Sequence, residues 1–471
     1  MKASNQDEHS KSVRSLGSPR RNLSRRGFLA LAASGLATGA MAASPAQSAA
    51  SAAPAARTAK PFAGKTVNAL CMTSPIADFY PKLASDFEAT TGAKVNFDIL
   101  AVDAYNQKVA VELSAKSDAY DVAYCEGGQF ARWVKGNWVI PIDSYLEQNK
   151  AALDWSDFLD GSAKDVQYEG KTYGLPVFAA TQIFYYRKDV LEKFGYKNPP
   201  DTWDDVLAYA KKIHTQDVAA FAMRGRPGNS LNMWSFPVLV YAFGGDFVKK
   251  YPSDMHPTVD SEAWIKAAEF YADLLQNYSV PGGANINYDD IVVAYQQGRV
   301  AMAIEGAPLA GLIFDPQKSR VIGKSGFAIH PKGPAGRFAP QTTHSLMITA
   351  GSKQKDLAWE LILFLASRDM QFKNAIDGKG TSVTRISVIE SDAYKNKYNW
   401  EGGAFGRVYR ENLKYAPAPY RPFTPEWPEV GDRLGVALSQ VLSKQKTARQ
   451  AFSEAQKDVF EIYRKAGYYR S

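Results

Sequence analysis

The sequence predicts an α/β protein, and three observations carry that reading. Short apolar runs of strand length alternate with segments whose apolar residues recur every three or four positions. The chain has 471 residues, 45% of them hydrophobic, with both signs of charge well mixed, enough for two or three domains with cores of their own. Beyond the first 57 residues there is no internal repeat, heptad array or low-complexity tract.

Taken in order, Val67 to Met72 reads as a strand ending in Thr73-Ser74-Pro75. A helix follows with Phe79, Leu83 and Phe87 on one face, stopped at Thr91-Gly92. Lys94 to Leu100 is a second strand, Tyr105, Val109 and Leu113 mark a second helix, and Asp121 to Cys125 is a third strand running into Glu126-Gly127-Gly128. This βαβαβ order predicts a mostly parallel sheet with helices on both faces, and ligands beyond the carboxyl ends of its strands. Thr73, Ser74, Glu126 and Gln129 fall at such ends. Gly170 to Val177 is hairpin-like and precedes the apolar run Ile183–Tyr186. Helices are expected over Trp203–Ile213, Ser235–Phe243, Glu262–Gln276, Asp289–Gln297 and Gln354–Ala366, with strands at Val300–Glu305 and Leu346–Thr349. A proline-rich stretch, Pro417 to Pro428, leads into two closing helices.

The net charge of +8 is unevenly spread. The first 48 residues hold seven Lys/Arg against Asp7 and Glu8, leaving about +3 for the remainder, too weak a field to imply nucleic acid or an anionic membrane as partner. That leader has a basic region ending Ser24-Arg25-Arg26-Gly27-Phe28-Leu29 and an apolar stretch to Ala43, too short to span a bilayer. Ala40-Met41-Ala42 offers a cleavage site. The twin arginine before Phe-Leu resembles a twin-arginine export signal, so residues 1–48 are expected to be removed and 49–64 to form a flexible lead-in to a soluble periplasmic protein without a lipid anchor. Cys71 and Cys125 fit no metal or redox spacing; they are either buried thiols or one disulfide.

The order of landmarks resembles a known family. "LASDFEATTGAKVNF", "YDVAYCEGGQF", "EGKTYGLPVFAATQIFYYRKDVLEKFG", "PPDTWDDVLAYAKKI", "YQQGRVAMAIEGAP", "GFAIHPKGP" and "HSLMITAGSKQKDLAWELILFLAS" occur in the order found in extracellular solute-binding proteins of bacterial ABC importers, in the carbohydrate-binding family that includes maltose-binding protein. "RGRPGNSLNMW", "VPGGANINYDDIVVAYQQGRVAM" and "DPQKSRVIGKSG" look most like the branch that binds polyols and small sugars. The resemblance implies a type II periplasmic-binding-protein fold of two hinged α/β lobes, by analogy 65–177 with 343–391 and 178–342 with 392–471. It implies ligand held in the cleft between them, and a closed form that an inner-membrane permease reads.

Sugars and polyols are neutral and densely hydroxylated, so their recognition needs planar or bidentate hydrogen-bonders and an aromatic plate. By the resemblance, Glu126, Gln129, Thr181, Arg224, Arg226, Asn232, Glu305, His344 and Arg385 are the polar cleft residues, with Phe178 and Trp234 the aromatic ones. Plain structural roles compete with these. Either arginine of the 224/226 pair suits a surface carboxylate, Asn232 a helix cap, Trp234 the core, His344 a structural histidine and Arg385 a surface ion pair. If Trp234 is a ligand plate, Trp234→Ala should leave unliganded stability nearly unchanged. The sequence also departs from the family. Many sugar-binding relatives carry Gly-Pro-Trp after the "GRVAM" strand, where this chain has Glu305-Gly306-Ala307-Pro308. Losing that tryptophan favours a small sugar, an acyclic polyol or a less typical ligand over an oligosaccharide, and the two arginines would suit a carboxylate-bearing sugar as well as a neutral one.

The rival readings have less behind them. No nucleophile elbow, zinc-protease or phosphate-loop motif occurs, so the chain is read as no enzyme, and no cofactor is implied. A secreted glycosidase would need two facing carboxylates, which a sequence cannot place. Iron held by Tyr185-Tyr186 or Tyr468-Tyr469 is the metal alternative; neighbouring strand residues face opposite ways, so Tyr185-Tyr186 more simply packs one ring inside. The expected partners are a small hydroxylated solute and the permease, the protein itself acting as a monomer.

Overall fold

The computed structural model describes residues 60–417 and 419–469, so the leader over 1–48 and its export signal lie outside the described residues. Eight strands share the main sheet: β1 Thr66–Met72, β2 Lys94–Leu100, β3 Val122–Cys125, β4 Leu175–Arg187, β5 Ala219–Ala222, β6 Val300–Gly306, β7 Ser325–Ala328 and β8 Gln341–Ile348. Their order is β2-β1-β3-β8-β4-β6-β5, with β7 paired to β4.

β1 runs parallel to both β2 and β3. Parallel neighbours need long crossovers, and helices α1 Ala84–Thr91 and α2 Val102–Ser114 provide them. Phe79, Leu83 and Phe87 are all buried, yet not on one helix. A 3-10 segment, Ala77–Leu83, contains Pro81 and precedes α1, because proline has no N–H to continue an α-helical ladder. α1 ends at Gly92 with φ +81°, a left-handed cap that glycine accepts without strain.

The sheet is mixed and not mostly parallel, since β8 lies antiparallel to both β3 and β4. β8 also begins at Gln341, five residues before the apolar stretch that marks it in the sequence. The apolar pieces around Val177 and Ile183–Tyr186 form one continuous strand, β4, of 13 residues. Its first part, Leu175 to Thr181, pairs with β8, and Gln182 onward pairs with β6 and β7. Such a strand reaches roughly 40 Å and threads from one part of the sheet to the other.

α3 Phe130–Lys135 follows β3, and α4 Asp160–Asp165 comes before β4. α5 Trp203–Ile213 opens with a capping box between Thr202 and Asp205, the reciprocal hydrogen bonds that satisfy orphan N–H groups of a first turn. The helix expected over Ser235–Phe243 is two, α6 Asn232–Ser235 and α7 Pro237–Ala242, parted at Phe236-Pro237. Helices α8 Trp427–Leu442 and α9 Ala448–Lys465 close the chain. Cys71 and Cys125 are free, buried thiols. No helix among the described residues is long and apolar enough to cross a membrane.

Candidate functional site

β3 is buried along its whole length and delivers Glu126-Gly127-Gly128 to its carboxyl end. A Cβ on Gly127 would sit 2.2 Å from Thr342 Oγ1, so only glycine lets this turn approach β8. The Glu126 side chain, 12% exposed, meets two residues far along the chain. Ser230 Oγ donates to its Oε2 at 3.3 Å and Arg421 Nη2 to its Oε1 at 3.3 Å. Burial alone would raise the Glu126 pKa, but Arg421, His344 and the Gly128 backbone together hold it below the usual carboxylate value, so it is ionised.

Arg421 lies in the proline-rich stretch and is buried. Its Nη1 donates to the Asn229 carbonyl at 2.8 Å, and its guanidinium carbon stands 5.6 Å from the Trp234 ring and 5.3 Å from that of Trp427. A cation so placed gains from both aromatic faces. Behind Glu126, His344 Nδ1 lies 3.1 Å from the Tyr124 hydroxyl, and its ring packs on Phe178 at 4.9 Å between centroids. Burial pushes the His344 pKa down to about 4, so the imidazole is neutral at neutral pH.

The stretch "RGRPGNSLNMW" forms the facing wall. Gly225 is held against another backbone, since a Cβ there would come 1.9 Å from the Gly283 carbonyl oxygen. Arg224 donates to Glu305 from Nε at 2.9 Å and Nη2 at 2.6 Å, and from Nη1 to the Ser230 carbonyl at 3.0 Å. Glu305, fully buried at the end of β6, also accepts from Gly306 N at 2.7 Å. Asn232 braces the loop: its Oδ1 accepts from Gly228 N at 3.2 Å and its Nδ2 donates to Gly435 O at 2.9 Å. A continuous polar path thus runs Glu305–Arg224–Ser230–Glu126–Arg421.

The structure therefore gathers Glu126, Arg224, Glu305, Trp234, His344 and Phe178 along that path or directly behind it. Asn232 stands beside it as a buried brace. Thr181 is buried on β4 with its hydroxyl lacking a partner among the described residues. Gln129 is half-buried just ahead of α3, and Arg226 is exposed. Arg385 stands apart, and it is no surface ion pair either. It is buried with its guanidinium 3.7 Å from the Phe158 ring, donating to the carbonyls of Ala366, Leu153 and Asp154. Those bonds occupy it in tying α4's approach to the segment after β8, away from the path.

Trp234 also differs from a free plate. It is 5% exposed, edge-on to Tyr420 at 5.7 Å, and its carbonyl accepts from both Gln182 Nε2 and Tyr420 Oη. Removing a packed tryptophan leaves a cavity, so Trp234→Ala is expected to cost about 3–5 kcal/mol of unfolding free energy, read by denaturant titration. A loss below about 1 kcal/mol would return Trp234 to the role of an exposed plate.

Sequence reasoning passed over Arg421, Trp427 and Asp165. Together with Gly127, Gly128, Gln341 and Thr342 they line a small recess. Arg421 falls in the proline-rich stretch, which no periodic pattern marks, Trp427 opens the first closing helix α8, and Asp165 ends the short helix α4.

A model of the bacterial extracellular solute-binding protein family matches residues 73–372. The mannitol-binding protein of Pseudomonas aeruginosa is 25% identical over 390 residues, covering 79% of this chain and 86% of that protein. Two solved ABC-transporter solute-binding proteins superpose closely. One from Agrobacterium radiobacter K84, in complex with ribitol, has a TM-score of 0.79 at 24% identity, covering 85% of this chain and all of that one. One from Agrobacterium vitis S4, with bound D-mannitol, has a TM-score of 0.75 at 26% identity, covering 86% and 100%.

Proposed function

We propose that this chain, which belongs to the bacterial extracellular solute-binding protein family, binds a small sugar or polyol in an interlobe cleft and delivers it to an inner-membrane ABC permease. In this reading residues 65–177 with 343–391 form one lobe and 178–342 with 392–471 the other, while β4 and β8 run through the hinge. The protein works as a periplasmic monomer after export through its twin-arginine leader.

The polar path across the cleft carries the proposal. Glu126 belongs to the first lobe so defined, and both residues that hold it, Ser230 and Arg421, belong to the second. Contacts of this kind break and remake when two lobes bend about a hinge, and solute hydroxyls compete for the same donors and acceptors. The charges also favour a neutral solute over a sugar acid, because Arg224 already faces Glu305 and Arg421 already faces Glu126.

The test is a melting screen of the mature chain against ribitol, D-mannitol, D-tagatose and the corresponding sugar acids. A solute at one hundred times its Kd adds about 2.7 kcal/mol to the folded state, so a neutral polyol or sugar is expected to raise Tm by a few degrees. A rise with sugar acids alone would replace the neutral solute with an anionic one. Consumption of the solute, followed by chromatography, would overturn the transport reading altogether.

A further inference from the structure

Beside the polar path runs an apolar contact that the solute-binding reading leaves over. The segment Tyr420-Arg421-Pro422-Phe423 is fastened along one side through its carbonyls. Tyr241 Oη donates to the Tyr420 carbonyl at 2.9 Å, and Tyr251 Oη to that of Phe423 at 3.1 Å. The Tyr420 hydroxyl donates in turn to the Trp234 carbonyl at 2.9 Å. All of these anchors belong to the second lobe as divided above. The Phe423 ring meets the first. It stacks on Phe130 of α3, 5.2 Å between centroids and 24° between planes, and stands 6.2 Å from the ring of Tyr168. Phe130 is 1% exposed and meets Tyr173 edge-on at 6.3 Å, so the seat is packed into the first lobe before Phe423 reaches it. Phe423, Tyr168 and Tyr251 are only half-buried, which puts the contact at the rim of the space between the lobes.

This contact differs in kind from the bonds on Glu126. Those two are 3.3 Å long, and solute hydroxyls compete for the same groups. A phenyl ring has no hydrogen-bonding group, so no hydroxyl competes with it and it distinguishes no solute from another. It gains by stacking and by burial whenever the lobes approach, with the cleft filled or empty. Pro422 and Pro425 stand on either side with fixed φ, and Tyr251 holds the Phe423 carbonyl, so little freedom is lost on docking. We infer that Phe423 is a positioning residue for solute capture: a wedge of the second lobe that seats against Phe130 and Tyr168, keeps part of the unliganded population closed and thereby scales the affinity for every solute alike. The inference rests on the solute-binding reading above and adds what holds the closed form apart from the solute itself. The apparent Kd is the intrinsic Kd divided by the fraction closed, so losing the wedge weakens all solutes by one factor. A residue that touched the solute would instead change their ratios.

The experiment titrates ribitol, D-mannitol and D-tagatose by calorimetry into the mature wild-type chain, Phe423→Ala, Phe423→Leu, Tyr168→Ala and the double alanine variant. Small-angle X-ray scattering of each chain is recorded before and after saturation. Phe423→Ala should weaken Kd about tenfold, by the same factor for each solute that the wild type binds. Its unliganded radius of gyration should exceed that of the wild type, and the two should coincide once saturated. Tyr168→Ala should move both readouts the same way and by less, and the double variant should bind no more weakly than Phe423→Ala. Phe423→Leu, which keeps apolar bulk, should recover part of both. Unequal factors among the solutes would make Phe423 a solute contact; the inference then falls and the solute-binding reading stands. An unliganded radius unchanged from the wild type overturns it too, whatever the Kd. Where the wild type binds a single solute, that radius decides. If it binds none of the three, the sugar and polyol reading fails and the inference with it. Should Phe423→Ala not fold, Phe423→Leu and Tyr168→Ala decide by the same readouts.

Discussion

Replacing Arg421 with alanine is expected to lower unfolding free energy by about 3–5 kcal/mol at pH 7.5 and to abolish the ligand-induced rise in Tm. The side chain is 6% exposed and does three things at once. It neutralises Glu126, satisfies the Asn229 carbonyl and fills the space between Trp234 and Trp427. Truncation leaves a carboxylate that is itself 12% exposed without its counter-ion, and an uncompensated buried charge is the costly outcome. The pH dependence separates this cause from lost packing. In the wild type the Glu126 pKa is lowered despite burial, by Arg421, His344 and the Gly128 backbone. Its ionised form therefore stabilises the fold above the unfolded pKa, and that contribution is lost as pH falls through the folded one. Without Arg421, desolvation dominates and the pKa moves above its unfolded value, so protonation relieves the variant as pH falls. Denaturant titrations at pH 7.5 and pH 4.5 should show the deficit shrinking on acidification. A deficit independent of pH would assign the whole loss to the cavity between the two tryptophans. Arg421→Lys should fall between, since one ammonium cannot reach two acceptors and lie flat between two rings.

What the sequence reveals about this cleft follows the reach of local patterns. Strand β3 and its terminal Glu126-Gly127-Gly128 are legible because an apolar run stopped by glycines is a short-range signal, and the parallel β1 to β3 unit follows from alternation alone. β8 is harder: Gln341 to Ser345 is a polar run that looks like a loop, yet it pairs with β4 along its length, β3 joining on the other side only from Ser345, so strand pairing and not side-chain apolarity places it. Arg385 shows the limit for charges. A buried cation stacked on Phe158 and donating to three carbonyls has the same letter as a surface arginine, and its partners lie 19 to 232 residues away. Arg421 comes from a proline-rich stretch without helical or strand period, and Trp427 opens α8; both are brought to the recess by tertiary contacts that no window of sequence contains. By contrast "RGRPGNSLNMW" is dense in planar hydrogen-bonders, and that chemistry draws attention to Arg224, although the partner it uses, Glu305, lies 81 residues away.

Glu305→Ala is expected to be as damaging as the loss of Arg421, about 3–5 kcal/mol, because it strands a guanidinium whose side chain is only 14% exposed. Arg224 would keep just one of its three hydrogen bonds, that to the Ser230 carbonyl. The consequence should spread along the path, since Ser230 Oγ reaches Glu126 and its carbonyl is held by Arg224. Loop 224–234 would then lose the fixed geometry with which it faces Glu126, and the ligand response should disappear along with stability. A second variant separates these two losses. Exchanging both partners for apolar residues of similar volume, Arg224→Met with Glu305→Leu, removes both buried charges together, which is often neutral or stabilising. The double variant should therefore recover most of the unfolding free energy while the response to a polyol stays absent. Recovery of both would mean that the pair serves stability alone and that Ser230 finds Glu126 without it. Recovery of neither would point to Gly306 N, the third donor on Glu305, as the contact that matters, with β6 losing its proper end.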